Sequence, residues 1–460
     1  MTPVHSAVNF PILKGDYELP ETKPGGFTEV PSHEIFPVHA VNTTERKFRQ
    51  LWHSRVEQRI RAEACSLDEQ VGPKEVKFCV RCVVSNQRPR IVFNEDGVCS
   101  ACLYAERKKA GIDWRERAHE LRTILHQHRK PAGYDVIVPC SGGKDSTFVA
   151  HTLKHEHGMN PLCVKFAPFI YTDIGRKNFE SFIQSGFDCL VAWPNGIIHR
   201  KLARLSFEYL GDPFQPFVFG QLCYPMQMSR RFQIPLVFFG ENGEAEYGGD
   251  PAADDKPCWS KEDWDRIYLK GAGVKRLVDL GIGLGALSSK EVREISEFYS
   301  LPPEGTTESS EFHWLGYYKK WHPQSNYYLA AANAGFEANP EGRSEGTYSK
   351  YASLDDRTDG FHYFMAYIKF GMGRATSDAA HETRDGDITR DEAKALVKRY
   401  DGEFPRKHFQ EFLDYIGCDE KHFWKVADRF RPEHLWEQKE GVYWLRHGVA
   451  DAGEKTHSAA

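Results

Sequence analysis

The sequence predicts an α/β protein: a doubly wound parallel sheet, preceded by a small zinc ribbon and followed by a mainly helical region. Three observations predict this. Between about Tyr134 and Gly249 the short apolar runs "DVIVPC", "PLCVKF", "DCLVAW" and "IPLVFFG" alternate with helical stretches such as "IGRKNFESFIQSG". Continuous apolar strands separated by helices read as a parallel sheet covered on both faces. Upstream, Cys79, Cys82, Cys99 and Cys102 form two C-x2-C pairs, and beyond Gly249 the pattern is helical and rich in aromatics to about Arg431.

Taken in order, residues 1–72 divide into an irregular Pro-, Gly- and His-rich arm to about residue 42 and a helix from about Thr44 to Cys65, opened by capping-type residues. Residues 73–110 carry the ribbon, 111–250 the sheet domain and 251–432 the helical region. Residues 433–460 form a tail whose polar end, "GVADAGEKTHSAA", is expected to be disordered.

Lys and Arg number 60 against 65 Asp and Glu, so the net charge is 60 − 65 = −5. A mildly acidic chain argues against nucleic acid as a general partner. No apolar run approaches the roughly 20 residues of a membrane span. The first residues, "MTPVHSAVNFPILKGDYELP", lack the basic and apolar regions of a signal peptide, so the expected location is cytoplasmic with no membrane contact. Eleven cysteines, an odd number with Cys163 and Cys189 inside apolar strands, fit a reducing compartment better than a disulfide framework.

The four paired cysteines read C-x2-C-x16-C-x2-C, a zinc spacing, with a strand and an Asp96-Gly97 turn between the pairs. Four thiolates close the coordination sphere, which makes the site structural. An iron–sulfur cluster takes the same ligands and stays open as an alternative.

Between the first strand and the next helix lies Ser141-Gly142-Gly143-Lys144-Asp145-Ser146-Thr147. Glycines let backbone N–H groups close on an anion, the helix N-terminus adds its dipole, and Lys144 adds a cation. Ser141, Ser146 and Thr147 offer hydroxyl donors. This is not a Walker A loop, because Val138 stands at the first glycine position and Asp145 follows the lysine. After the fourth run, "GENGEAEYGGD" gathers Glu241, Asn242, Glu244, Glu246 and Asp250 at a strand's carboxyl end, where a Mg²⁺ ion would offset their repulsion; a solvated turn is the bland alternative. Tyr171, Thr172, Asp173, Arg176 and Lys177 follow the second strand and either contact nucleotide or cap a helix through Asp173.

Ser-Gly-Gly-Lys-Asp-Ser closing a first strand resembles the PP-loop of the HUP-like ATP pyrophosphatases. That resemblance implies ATP cleaved between its α and β phosphates, with Asp145 beside Mg²⁺. Together with the ribbon, "IYTDIGRKNF", "GENGEAEYGG", "HWLGYYKKW", "SEGTYSKYASLDD", "DGFHYFMAYIKFGMGRATSDAAHE" and "RDGDITRDEA" resemble the N-acetyl sugar amidotransferase family over about residues 74 to 432. The resemblance implies an ATP-dependent ligase that turns an acetamido sugar into an acetamidino sugar for bacterial surface polysaccharide, such as the O-antigen of lipopolysaccharide. It implies catalytic roles for Lys144, Asp145 and Lys369, and nucleotide contacts along Ser141–Thr147 with Asn242, Glu244 and Glu246. Arg374, Asp378 and His381, at helical or near-helical spacing, would hold the acceptor; a solvated ion-pair network is the alternative.

The chain opens Met1-Thr2-Pro3, not with the cysteine of an N-terminal glutaminase, and Cys223 in "GQLCYPM" reads as a core thiol. The resemblance implies a separate glutaminase subunit as the ammonia source. The rival from another class is a tRNA-thiolating PP-loop enzyme, which would use a cysteine pair in the sheet domain. No C-x2-C occurs within 134 to 250. A non-catalytic nucleotide sensor is the third reading, and it gives the acidic loop no purpose.

Overall fold

The computed structural model describes residues 72–269, 273–303 and 310–450, with Val56 and Arg59. The arm expected over residues 1 to 42 and the helix expected from Thr44 to Cys65 lie outside them, those two positions apart. Five strands, β1 (Val136–Pro139), β2 (Pro161–Phe166), β3 (Asp188–Ala192), β4 (Leu236–Phe239) and β5 (Glu311–Trp314), form one parallel sheet in the order β3-β2-β1-β4-β5. From β1 to β3 the chain steps outward. The helices Gly196–Leu210 and Gln215–Phe232 then return it to the far side of β1, where β4 begins. The winding reverses between β1 and β4, so a crevice opens at their carboxyl ends.

Alternate side chains serve two cores. Ile137, Leu162, Val164, Val237 and Phe239 meet Leu202, Leu205, Phe219 and Met226 on one face. Val136, Val138, Cys163, Leu236 and Phe238 meet Leu125, Phe148, Phe182 and Trp321 on the other. Both faces are dry, which is why these strands are apolar throughout instead of alternating with polar residues.

The strand β5 is an element that the mainly helical pattern expected after Gly249 did not single out. Its four residues pair with β4, Phe238 opposite His313 and Phe239 opposite Trp314. The helices Lys275–Leu284 and Ser289–Tyr299 add Leu277, Val278, Ile295 and Tyr299 to the first core. The sheet layer therefore extends past the boundary expected at residue 250. Where a tail was expected from residue 433, an antiparallel hairpin of Trp436–Lys439 and Val442–Leu445 forms. Trp436 is buried and donates its indole N–H to Ile368 O at 2.7 Å. Residues 451–460 lie outside the described ones. Among the described residues no helix is long and apolar enough to cross a membrane.

A buried charge cluster joins the helical region to the sheet layer. Glu208 Oε1 accepts from Arg204 Nε at 2.7 Å and lies 2.5 Å from His422 Nε2, while Oε2 accepts from Arg429 at 3.0 Å. Arg204 Nη1 also donates to Gly417 O at 2.8 Å, satisfying the end of the helix Phe409–Ile416. Burial pushes the Glu208 carboxyl up, but the Arg204 charge and then His422 outweigh it and hold the group at about 2. A depressed acid stabilises the fold above its unfolded value, and that contribution goes as pH falls from about 4.5 towards 2. Glu208→Gln, which leaves Arg204 buried without its counter-charge, is expected to cost about 3–5 kcal/mol. It should also flatten the acid limb of a urea-denaturation profile; an unchanged limb would remove Glu208 from the linkage.

Candidate functional site

After β1 the backbone turns through Gly142, whose φ of +82° is left-handed. A Cβ on Gly142 would lie 2.6 Å from the Cα of Phe179, so the loop runs against the helix Asp173–Gln184 at backbone distance. The helix Lys144–His151 then starts from Gly143 with no side-chain cap, leaving its first N–H groups to an anion. Ser146 Oγ accepts from Ser141 N and donates to Gly143 O, both at 3.2 Å, and Lys165 Nζ donates to Ser141 O. Lys144 is buried and pairs with one oxygen of Asp145, while the other accepts from Asn326 Nδ2 at 3.0 Å. Ser141, Gly142, Gly143, Lys144 and Asp145 line a cavity of about 550 Å³. Ser146 and Thr147 do not. Ser146 braces the loop, and Thr147 is buried beneath it.

The acidic loop after β4 splits in two. Asn242, expected to hold nucleotide, caps the short helix Gly243–Tyr247 by accepting from Glu244 N at 3.1 Å. Glu246, expected in the same role, is 2 % exposed, 2.5 Å from Lys108 Nζ and 3.3 Å from His381 Nε2. Burial raises its pKa, and Lys108 then His381 outweigh burial and keep it ionised. Neither residue reaches the cavity. Glu241 and Glu244 do. Glu244 takes a two-pronged bond from Arg90, at 2.8 and 2.6 Å. Burial, and next the charge of Asp145, pushes the Glu241 carboxyl up to about 7. Two carboxylates from the ends of β1 and β4 thus face one space and repel each other, the arrangement a divalent cation relieves.

The ribbon supplies another wall. Cys79 and Cys102 Sγ lie 3.8 Å apart, and Cys82 and Cys99 Sγ 3.7 Å apart, all four buried. Four sulfurs about 2.3 Å from one centre stand about 3.8 Å from each other, so the set fits a tetrahedral zinc ion. The same spacing leaves no room for an inorganic cluster between the sulfurs. Zinc there would act on structure alone, because four thiolates complete its coordination. Arg390 donates to Cys82 O and Cys79 O, each at 3.0 Å, and Arg384 Nη1 lies 3.8 Å from Cys82 Sγ, tying the ribbon to the helical region; Arg384 also donates to Glu246 O at 2.8 Å. The ribbon in turn sends Arg88 and Arg90 into the cavity.

From the helical region Arg374 and Asp378 line the cavity as a pair, with 2.9 Å between Nε and Oδ1. Arg374 also donates to Ser353 Oγ at 3.2 Å and to the Tyr363 hydroxyl. Two other residues expected with them are elsewhere. His381 is buried between Glu246 and Asp385, its Nδ1 2.9 Å from Asp385 Oδ2. Lys369 donates to Leu210 O at 2.8 Å and lines an adjoining cavity of about 410 Å³. After β2, Thr172 and not Asp173 caps the helix, accepting from Gly175 N at 2.9 Å, and Gly175 and Asn178 are the residues that reach the cavity.

With this geometry established, comparison with known families bears on one part of the chain. Residues 345–448 match the family model of the C-terminal domain of WbpG-like LPS biosynthesis proteins. No curated protein matches the chain. The WbpG-like segment contains Arg374, Asp378, Arg384 and Arg390, so it supplies one cavity wall and the clamp on the ribbon. It supports a role in lipopolysaccharide biosynthesis.

Sequence reasoning missed Arg88, Arg90 and Asn326. The arginines bracket Pro89 in a stretch that reads as an ordinary ribbon strand, and Asn326 sits in "HWLGYYKKWHPQSNYY", a stretch that draws notice for its aromatics and lysines and not for its amide. As a whole the site offers an uncapped helix start with a lysine, two facing acids and an arginine-rich rim. Those groups suit a polyphosphate carried with a divalent cation.

Proposed function

We propose that the protein is an ATP-dependent amidotransferase that converts the acetamido group of a nucleotide-linked N-acetyl sugar into an acetamidino group for lipopolysaccharide. The observation that carries this reading is the convergence on one cavity of the Ser141–Asp145 loop, Glu241 and Glu244 at the β1/β4 crevice, and Arg374 and Asp378 from the WbpG-like segment. An amide carbonyl is a poor electrophile because its nitrogen donates into it. Adenylation of the oxygen creates an imidate with AMP as leaving group. Ammonia from a partner glutaminase then replaces AMP, and C=O becomes C=NH. The loop N–H groups and Lys144 would hold the departing pyrophosphate and stabilise its charge. Asp145 and Glu241 would hold Mg²⁺, which neutralises phosphate charge. Arg374 would meet the acceptor's phosphate.

The test is pyrophosphate release from ATP with ammonium and a panel of nucleotide-linked acetamido sugars, with mass spectrometry of the products. Acceptor-dependent pyrophosphate and AMP, with O replaced by NH, supports the reading. Pyrophosphate release only with unmodified tRNA and a sulfur donor would replace it by the thiolation reading. One observation bears on that rival: Cys140 and Cys189 Sγ lie 3.5 Å apart under the loop. Neither lines the cavity, and burial pushes the Cys140 thiol up, so the pair does not offer a thiolate to substrate.

Glu241 adds a pH prediction. With its carboxyl near 7, the acid is mostly protonated at pH 6 and ionised at pH 8. The melting-temperature rise caused by Mg²⁺ with a non-hydrolysable ATP analogue should therefore be larger at pH 8 than at pH 6. In Glu241→Gln the difference should vanish; its persistence would exclude Glu241 as a cation ligand.

A further inference from the structure

The loop cavity and the adjoining one of about 410 Å³ both have Arg88, Arg90, Tyr247, Tyr268, Tyr363 and Ser377 in their walls, so the two spaces meet there. The second cavity carries a surplus of positive charge. Arg88, Arg90, Lys369 and Arg384 line it against one acid, Asp212. Three of the four bases are occupied. Arg90 grips both oxygens of Glu244, Lys369 donates to Leu210 O, and Arg384 donates to Glu246 O. Arg88 differs. Its Nε donates to Gly248 O, and among the described residues its two Nη groups meet no acceptor. Burial pushes this guanidinium below its usual range; the Glu244 charge pulls it back, and those of Arg384 and Arg90 add to the lowering. A bound anion would supply the negative charge that Arg88 lacks.

Gln215 lines the same cavity from the start of the helix Gln215–Phe232, with 4 % of its surface exposed. Among the described residues its amide has no hydrogen-bond partner, so both its donor and its acceptor are left to whatever fills the cavity. Val218, Ile267, Phe370 and Met372 supply apolar walls. An apolar slot of this volume, with one buried amide and a guanidinium where it meets the loop cavity, suits a nucleoside joined to a phosphate. A nucleobase has apolar faces and an edge that both donates and accepts.

We propose that the second cavity holds the nucleoside of a nucleoside-diphosphate-linked acceptor, with Arg88 on the diphosphate and Gln215 on the edge of the base. This rests on the function proposed above, in which Arg374 also meets the acceptor's phosphate. A diphosphate has one phosphate for each arginine, Arg88 from the ribbon and Arg374 from the helical region. The acceptor then runs in one order. Its sugar lies in the loop cavity with the acetamido carbonyl towards the α-phosphate of ATP, its diphosphate lies at the junction, and its nucleoside lies beyond. Gln215 thereby becomes a residue that selects which base the acceptor carries.

The test measures binding with the loop already filled. Wild-type protein is saturated with Mg²⁺ and a non-hydrolysable ATP analogue, then titrated by calorimetry with UDP, CDP, GDP and dTDP. One of them should bind at least about tenfold more tightly than the others, the worth of a buried hydrogen bond that only the right base completes. Arg88→Gln should weaken that nucleotide about 10- to 100-fold, as loss of a charged hydrogen bond does, and leave the ATP analogue within about threefold of wild type. Gln215→Leu should reduce the preference among bases to less than about threefold. If melting shows that Arg88→Gln does not fold, Arg88→Lys, which keeps the charge and loses the fork, carries the same comparison. No binding to the filled wild type, an unchanged affinity in the Arg88 variant, or an equal loss of the ATP analogue overturns the subsite and leaves the amidotransferase standing. A base preference absent from the wild type, or untouched by Gln215→Leu, overturns the role of that amide. Binding as expected, with no amidino product from any acceptor, overturns the amidotransferase and leaves the nucleotide subsite.

Discussion

Cys99→Ser is expected to remove zinc from the protein and pyrophosphate release with it. Within itself the ribbon has little to hold it besides the four thiols; its other contacts run to the helical region and to the loop after β4. Its pairing is limited to the isolated bridges Phe78–Ser85 and Phe93–Cys99, and its core is largely the four cysteines with Val83, Val84 and Val98. In such a module metal binding is the folding energy, about 10–16 kcal/mol in zinc-finger peptides at neutral pH, and three thiolates with a hydroxyl retain a small part of it. Loss of the ribbon withdraws Arg88 and Arg90 from the cavity. Glu244 then lies buried without the arginine that neutralises it, a change worth about 3–5 kcal/mol when a buried pair is broken. The sheet cores contain none of the ribbon's cysteines, so the far-ultraviolet spectrum should change little. Metal analysis, melting and pyrophosphate assays on one preparation check this. A variant that retains both zinc and activity would sink it, and iron in place of zinc in the wild type would reassign the site.

Gly142→Ala is expected to abolish ATP turnover for a different reason. The added methyl would meet the Cα of Phe179 at 2.6 Å and its N at 3.0 Å, atoms that cannot rotate away. The substituted residue would also have to keep a φ of +82°. The helix carrying Phe179 buries Phe182 in the second core, so the loop must give way. Redirecting even one N–H donor of such a cradle costs about 10²–10³ in rate, and here several move together. Gly143→Ala should be milder: its methyl meets the Ser141 hydroxyl at 2.9 Å, and that group can rotate. Lys144→Ala separates chemistry from fold, with turnover lost and melting little changed. The three variants should therefore rank Gly142 worst in stability and Lys144 as damaging as Gly142 in turnover. A Gly142→Ala protein with wild-type pyrophosphate release would show that the loop does not hold the phosphates.

Four of the five sheet strands are legible because burial on both faces imposes unbroken apolar runs, and their shortness, with helical stretches between them, separates them from buried helix segments. The fifth was hidden. Glu311 and His313 interrupt its hydrophobicity, since His313 pairs with Glu311 and Tyr318 at the sheet edge. The loop residues Ser141 to Asp145 were legible from local glycine and charge chemistry. Asn242, Glu246 and His381 misled because a polar residue near a motif looks the same whether it faces substrate, caps a helix or neutralises a buried partner. The difference depends on Lys108, 138 positions away from Glu246, which no local pattern can carry. Arg90 and Asn326 went unseen for the same reason, each acting on a residue more than a hundred positions distant.

The clamp on the ribbon has a consequence for how the molecule is made. Arg390 holds the carbonyls of Cys82 and Cys79 from 308 and 311 positions downstream. At roughly 5–20 residues per second, some 15–60 s pass between the emergence of the thiols and that of the guanidinium that secures them. Through that interval a zinc ion on the four thiols would have to hold the ribbon without that clamp, exposed to whatever ions and oxidants surround the ribosome. With zinc as the ribbon's metal, a cell short of it at that moment would complete chains whose sheet is finished and whose cavity lacks a wall.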